Sequence, residues 1–219
     1  MLELFEYYRS SASYRIRIAL LYKGLDCQLT QVHLVEDGGQ HLLEDFTQKN
    51  SQQLVPLLRD GENYINQSMA MLEYLEEKFP DRPLLPKYSL KKAQVRAFAM
   101  EVACEIHPLN NLRVLKYIKN DFALSDKEKM QWYFHWLHKG FTSLTAKLGD
   151  GPFCFGETPT FADLFLIPQI YNACRFEFDM SPFPELLAIN DHCLKQEYFI
   201  KASPEERLKD LVDSQPYAG

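Results

Sequence analysis

The sequence predicts a chain of two parts, a small domain of mixed strands and helices followed by one built from helices alone. Three observations carry that reading. Short β-type runs alternate with helical runs as far as Phe79, a proline-rich stretch PDRPLLP (Pro80 to Pro86) follows, and beyond it apolar residues recur only at intervals of three and four.

The elements follow in order. LELF (2 to 5) and QLTQVHL (28 to 34) have the alternation and β-branching of strands, and between them Ile16, Ile18, Ala19, Leu20 and Leu21 form a helical block that Gly24 closes. A short helix is expected near Leu42 to Gln48. LVPLLRDGENYIN then offers two short strands around Asp60-Gly61, with Pro56 at an edge or bend. From Ser68, the residues Met71, Leu72, Leu75 and Phe79 fall at helical spacing until the prolines end it. The first part thus reads βαβαββα.

In the second part Val95, Phe98, Val102, Ile106 and Leu109 form one apolar stripe, kinked at Pro108. Ser125-Asp-Lys-Glu128 is a capping box ahead of the stripe Met130, Phe134, Leu137, Phe141, Leu144 and Leu148. Thr160-Phe-Ala-Asp163 starts another helix, Glu185 to Lys195 suggests one more, and after that the periodicity is lost. The aromatic-rich stripes describe packing, not a cofactor box. The domains expected are residues 1–83 and 84–219, the latter an all-α helical bundle.

With 219 residues and 46% hydrophobic content the chain can bury its own cores. A net charge of −6 argues against nucleic acid or an anionic membrane as partner, because both need a concentrated basic surface. No run of apolar residues is long enough to span a membrane and the start MLELFEYY is not a signal peptide, so a cytoplasmic protein is expected. Five scattered cysteines with no CxxC spacing disfavour disulfides and zinc. His135 and His138 share a helix face in FHWLH, but nothing joins them at ligand spacing, and no metal is expected.

One stretch carries chemistry. YYRSSASYRIRIAL places Ser10, Ser11 and Ser13 with Arg9, Arg15 and Arg17 at the entry of a helix. A helix start leaves amides without partners, so this loop either caps the helix or holds an anion. Ser13 alone would suffice as the cap, and the residues by themselves leave both readings open.

The same stretch, SSASYRIRIAL, is similar to the segment SSCSWRVRIAL of the zeta-class glutathione transferases, the maleylacetoacetate isomerases of tyrosine and phenylalanine breakdown. DGGQH (37 to 41), QLVPLL (53 to 58), NQSMAMLEYLEE (66 to 77), HPLNNLRVLK (107 to 116) and NACRF (172 to 176) match further blocks of that family in order, so the resemblance spans essentially the whole chain. It implies the glutathione transferase architecture, in which a thioredoxin-like α/β domain binds glutathione and a helical domain contributes the electrophile pocket.

The resemblance also implies roles. Ser10 falls on the catalytic serine, which hydrogen-bonds the glutathione sulfur and favours thiolate over thiol. Ser11, Ala12, Ser13, Tyr14 and Arg15, on the same loop and helix start, are implied to bind glutathione with it. Val55 and Pro56 match the backbone clamp on the cysteinyl portion, with a cis bond before Pro56. Gln67 and Ser68 match the pair that holds the γ-glutamyl carboxylate, and Ser68 read alone would be a simple N-cap. His41, His107, Asn111, Leu112 and Arg113 match other pocket positions. Arg9 and Arg175 are the substrate-carboxylate candidates, although a lone Arg175 reads as a surface ion-pair partner.

Four positions depart from the family. Ala12 replaces its cysteine, Tyr14 its tryptophan, and His41 and His107 its glutamines. Losing the thiol is expected to weaken turnover without abolishing it. His107 reads either as a glutamine-like hydrogen-bonder or as a group charged near neutral pH. The implied activity is glutathione-dependent cis–trans isomerisation of an acidic diketo acid by a homodimer. Conjugation of glutathione to small electrophiles such as α-haloacids is the alternative, and a non-catalytic interaction module the third reading.

Overall fold

A computed structural model gives the architecture of residues 1–213. The chain forms two compact units, one of Met1–Pro83 together with the chain from Leu194 onward, the other of Leu84–Cys193. The units divide the chain at Pro83/Leu84 and again at Cys193/Leu194; the domains expected from the sequence are 1–83 and 84–219. Residues 214–219 of that expected domain lie outside the described residues.

The first unit runs β1 (Leu2–Glu6), α1 (Ser11–Lys23), β2 (Cys27–Gln31), α2 (Glu44–Thr47), β3 (Leu57–Asp60), β4 (Asn63–Asn66) and α3 (Ser68–Lys78), the βαβαββα order read from the sequence. The sheet order is β2-β1-β3-β4. β1 pairs parallel with β2 from Leu2 opposite Cys27, and antiparallel with β3 with Leu4 opposite Leu58. All five β1 residues are buried, including two glutamates. Glu3 is satisfied by Thr30 Oγ1 at 2.5 Å and Arg59 Nη2 at 2.6 Å. β2 is shorter than expected, and the chain after it turns through 3₁₀ segments at Glu36–Gly38 and Gln40–Leu42. α1 ends as Gly24 predicts. At φ 66° its N–H reaches Leu21 O while Leu25 N reaches Leu20 O, a Schellman pair that a residue with a Cβ would adopt only with strain.

The proline stretch is a tied segment. Lys23, its side chain fully buried, donates to the carbonyls of Phe79 at 2.9 Å, Asp81 at 3.4 Å and Arg82 at 3.3 Å and pairs with Glu76 at 2.8 Å. Two helices then occupy the region where the periodicity was expected to fail, α10 (Glu197–Lys201) and α11 (Pro204–Asp213). Their signal is capping rather than stripe. Ser203 Oγ accepts from Glu206 N at 3.3 Å, Pro204 opens α11, and two glutamates follow in its first turn.

The second unit contains α4 (Ser89–Met100), α5 (His107–Asn110), α6 (Leu112–Asn120), α7 (Asp126–Thr145), α8 (Phe161–Arg175) and α9 (Pro184–Cys193). Between α4 and α5 the helix widens to a π-helical turn over Glu101–Ile106. Pro108 explains it, since proline has no N–H to return to the carbonyl four residues back. The stripe of Val95, Phe98, Val102 and Ile106 is buried as predicted. α8 is buried continuously from Phe161 to Ile170, the spine of this unit. Among the described residues no helix is long and apolar enough to cross a membrane.

Candidate active site

Ser10, not Ser13, caps α1. Ser10 is extended (φ −71°, ψ 119°) and its Oγ accepts from Ser13 N at 3.2 Å, while the Oγ of Ser13, fully buried, accepts from Tyr7 N at 3.4 Å. The expectation for Ser13 fails because its side chain is turned back to the β1 end of the loop. Capping uses a lone pair of the Ser10 hydroxyl, so its proton remains available to a second acceptor. Ser11 is buried in the first turn, Ala12 is half-exposed beside it, and Arg9 is exposed with its guanidinium 5.0 Å from the Tyr8 ring centroid.

Tyr14 and Arg15 point into the first unit. Tyr14 is 1% exposed and donates its hydroxyl to Phe199 O at 3.0 Å, so it ties α1 to α10. Its side chain packs within the first unit. Arg15 is 2% exposed and donates Nη1 to Ser68 Oγ at 3.1 Å. Burial pulls its pKa down to about 9, which leaves it cationic at neutral pH. It therefore couples the first turn of α1 to the first turn of α3.

The start of α3 is unlike that of α1. Its N-cap is Gln67, at φ 66° and ψ 115°, and no side chain caps the helix. Ser68, which read alone would be a plain N-cap, is the first helical residue, buried, its hydroxyl accepting from Arg15. The Gln67 amide turns outward to Gln52 Oε1 at 2.9 Å. A glutamine at positive φ costs about 1–3 kcal/mol, and such strain is a pointer to function.

Val55–Pro56 is cis, as expected, and precedes β3. The loop leading to it is organised by Asn50, which the sequence reading missed. Asn50 is 3% exposed, donates Nδ2 to Leu54 O at 2.8 Å, and accepts at Oδ1 from Gln52 N at 3.1 Å and Asn66 Nδ2 at 3.5 Å. Asparagine before a serine is an ordinary turn signal, and only its burial marks it out. His41 is half-buried in the 3₁₀ turn after Gly39, where a Cβ would meet its ring at 2.6 Å.

The other expected residues lie in the second unit. His107 heads α5 and is half-buried. Asn111 is the N-cap of α6, its Oδ1 accepting from Val114 N at 3.1 Å, so its side chain has a structural commitment. Leu112 and Arg113 are exposed on the first turn of α6. Arg175 ends α8, exposed, its guanidinium 4.5 Å from the Phe176 ring centroid. No disulfide forms among the five cysteines. Burial pushes the Cys27 thiol up to about 12 and raises Cys154, Cys174 and Cys193, so none of these four is a thiolate near neutral pH. Among the described residues no group of metal ligands assembles, around His135 and His138 or elsewhere.

A glutathione S-transferase N-terminal domain model matches residues 4–83. The chain is 42% identical over 206 residues to a probable maleylacetoacetate isomerase of Vibrio cholerae, covering 93% of this chain and 96% of that one. It is 41% identical over 209 residues to a zeta-class glutathione S-transferase of Euphorbia esula, covering 94% and 91%. The chain belongs to the zeta-class glutathione S-transferases. A maleylacetoacetate isomerase of Anaeromyxobacter dehalogenans, 33% identical, has the same fold with a TM-score of 0.82 over 100% of this chain and 94% of its own, and was crystallised with dicarboxyethyl glutathione and citrate in its active site. The cap serine of α1 and the uncapped start of α3 both lie within residues 4–83, which the family model matches.

Proposed function

We propose that the chain is a glutathione-dependent isomerase that converts maleylacetoacetate to its trans isomer. The carrying observation is the pair of helix starts in the first unit, one presenting a hydroxyl with a proton to give and the other presenting uncapped amides. This donor set fits glutathione, whose thiolate wants a hydroxyl donor and whose γ-glutamyl carboxylate wants a helix N-terminus. Glutathione, when bound, would supply a thiolate nucleophile for reversible addition to the conjugated double bond, which would free that bond to rotate.

The chain's own residues do the rest. Ser10 donates its proton toward the sulfur and, with the α1 amides of Ser11 to Ser13, favours the anion. Gln67 and Ser68 hold the γ-glutamyl carboxylate, with Arg15 fixing the Ser68 hydroxyl from behind. Val55, ahead of Pro56, pairs through its backbone with the cysteinyl portion. His41, His107, Asn111, Leu112 and Arg113 complete the binding surface, Tyr14 through its backbone alone. Arg9 and Arg175 hold the substrate carboxylates and offset charge that grows on the conjugated carbonyl. Support comes from the Anaeromyxobacter relative, which was crystallised with dicarboxyethyl glutathione in its active site. The reading includes a homodimer in the cytoplasm, a compartment that keeps unpaired cysteines reduced.

The test is maleylacetoacetate isomerisation with and without glutathione, tracking free glutathione throughout. Turnover that needs glutathione and leaves its concentration unchanged supports the isomerase. Consumption of glutathione moves the assignment to conjugation of electrophiles, the chemistry in the name of the Euphorbia relative. Ser10→Ala is expected to lower glutathione-dependent turnover about 10²-fold or more, the scale of losing one donor to a developing anion.

A further inference from the structure

Arg17 lies two turns along α1 from Ser10, and its side chain is 2% exposed. Each of its nitrogens has a partner. Nη1 donates to Glu6 Oε2 at 2.5 Å, Nη2 to the Tyr8 carbonyl at 2.9 Å, and Nε to the Ala202 carbonyl at 2.8 Å. Glu6, fully buried at the end of β1, accepts at its other oxygen from Arg207 Nε at 2.8 Å, and Arg207 Nη2 donates to the Leu29 carbonyl at 3.3 Å. A buried carboxylate between two guanidinium groups is tolerable only with its bonds made. Here they converge from β1, α1, β2, the end of α10, and α11.

One of these bonds leaves the network. Tyr8 belongs to the loop Tyr7–Ser10, which joins β1 to α1 and presents the cap serine. The loop's backbone bonds are local, Ser10 N to Tyr7 O at 2.8 Å and Tyr7 N to Ser13 Oγ at 3.4 Å. The Arg17 bond ties it instead to a buried cluster completed by the C-terminal helices. Lysine could not substitute, because one ammonium cannot reach three acceptors lying in the plane of a guanidinium.

We propose that Arg17 is a positioning residue for Ser10, and that Glu6, Arg207 and the Ala202 carbonyl hold Arg17, so that α10 and α11 belong to the apparatus that aims the Ser10 hydroxyl. The inference rests on the role proposed above for Ser10. Arg17 touches no ligand in this scheme and acts through the Tyr8 carbonyl.

Hydrogen exchange on the glutathione-free protein reads the loop without requiring activity. In Arg17→Lys and in Arg207→Met the Ser10, Ser13 and Tyr14 amides should exchange faster by about tenfold, as local opening becomes easier. Arg59→Met, which breaks the Glu3 pair of the same unit, should leave these amides unchanged. With glutathione, kcat/KM should fall and its pH profile should shift to higher pH, because a misaimed hydroxyl stabilises thiolate less. Wild-type exchange and an unshifted profile in folded Arg17→Lys would overturn the proposal. If Arg207→Met fails to fold, Arg207→Lys takes its place with the same expectations. Faster exchange in the variants of a protein that binds no glutathione would support the tie to the loop and retire the role given to Ser10.

Discussion

Two helix starts in the first unit and two in the second are finished differently. In the second unit α7 and α8 are finished from within. Ser125 Oγ accepts from Glu128 N at 3.3 Å and Glu128 returns to Ser125 N at 2.9 Å. Asp163 reaches back to Thr160 N at 2.8 Å, takes the Thr160 hydroxyl at 3.0 Å, and collects Cys154 N at 2.7 Å. In the first unit α1 is capped by a serine that keeps a proton to give, and α3 by a glutamine that caps nothing. Where orphan amides are satisfied by neighbours in sequence the helix start is architecture, and where they are left open at a conformational cost it is set up for a ligand.

The largest way to test the closed starts is Asp163→Ala. It strands two buried N–H donors, so we expect a loss of about 2–5 kcal/mol in urea unfolding, at 1–3 kcal/mol for each orphaned group. A loss below about 1 kcal/mol would mean that water replaces the carboxylate. Ser10→Ala separates the two uses of one hydroxyl. Stability should fall by only about 1 kcal/mol, the value of an N-cap, while turnover falls far more. Equal proportional losses would make the serine a cap alone.

Gln67→Gly should act in opposite directions on stability and affinity. Glycine accepts φ 66° freely, so the melting temperature should rise by a few degrees, for about 1 kcal/mol of relieved strain. Glutathione affinity, read by calorimetry, should weaken as the amide that meets Gln52 is lost. The smallest effect belongs to Asp126, fully exposed, whose carboxyl is lowered to about 2, first by hydrogen bonding to Lys119 and then to Lys129. A depressed acid contributes stability above its ordinary value near 3.8 and loses it as pH falls toward 2. Asp126→Asn should therefore lower neutral stability slightly, with the difference from the wild-type protein closing as pH falls from 4 to 2, which flattens the acid limb.

Much of this was legible. Both capping boxes, the Gly24 stop, the β3–β4 turn and the Val95 to Ile106 stripe are local rules that the fold obeys. Misreadings came where a side chain's direction is decided from outside its segment. Ser10 and Ser13 are both plausible caps until Tyr7 N claims Ser13. The bonds of Tyr14 to Phe199 and of Arg15 to Ser68 join residues far apart in the chain, which no local pattern announces. α11 was missed because its apolar stripe is thin, although Ser203-Pro204-Glu205-Glu206 marks its start. Asn50 has no local signature at all, since its importance is three bonds made while buried.

The discontinuity of the first unit governs the order in which the protein can be finished during synthesis. Strands β1 to β4 leave the ribosome early, yet Glu6 lacks Arg207, and Arg17 lacks the Ala202 carbonyl, until almost the whole chain has emerged. A nascent first unit therefore carries a half-matched carboxylate through translation of the entire helical unit, about 110 residues at 5–20 residues per second. For several seconds at least, its lasting stability waits on residues not yet made.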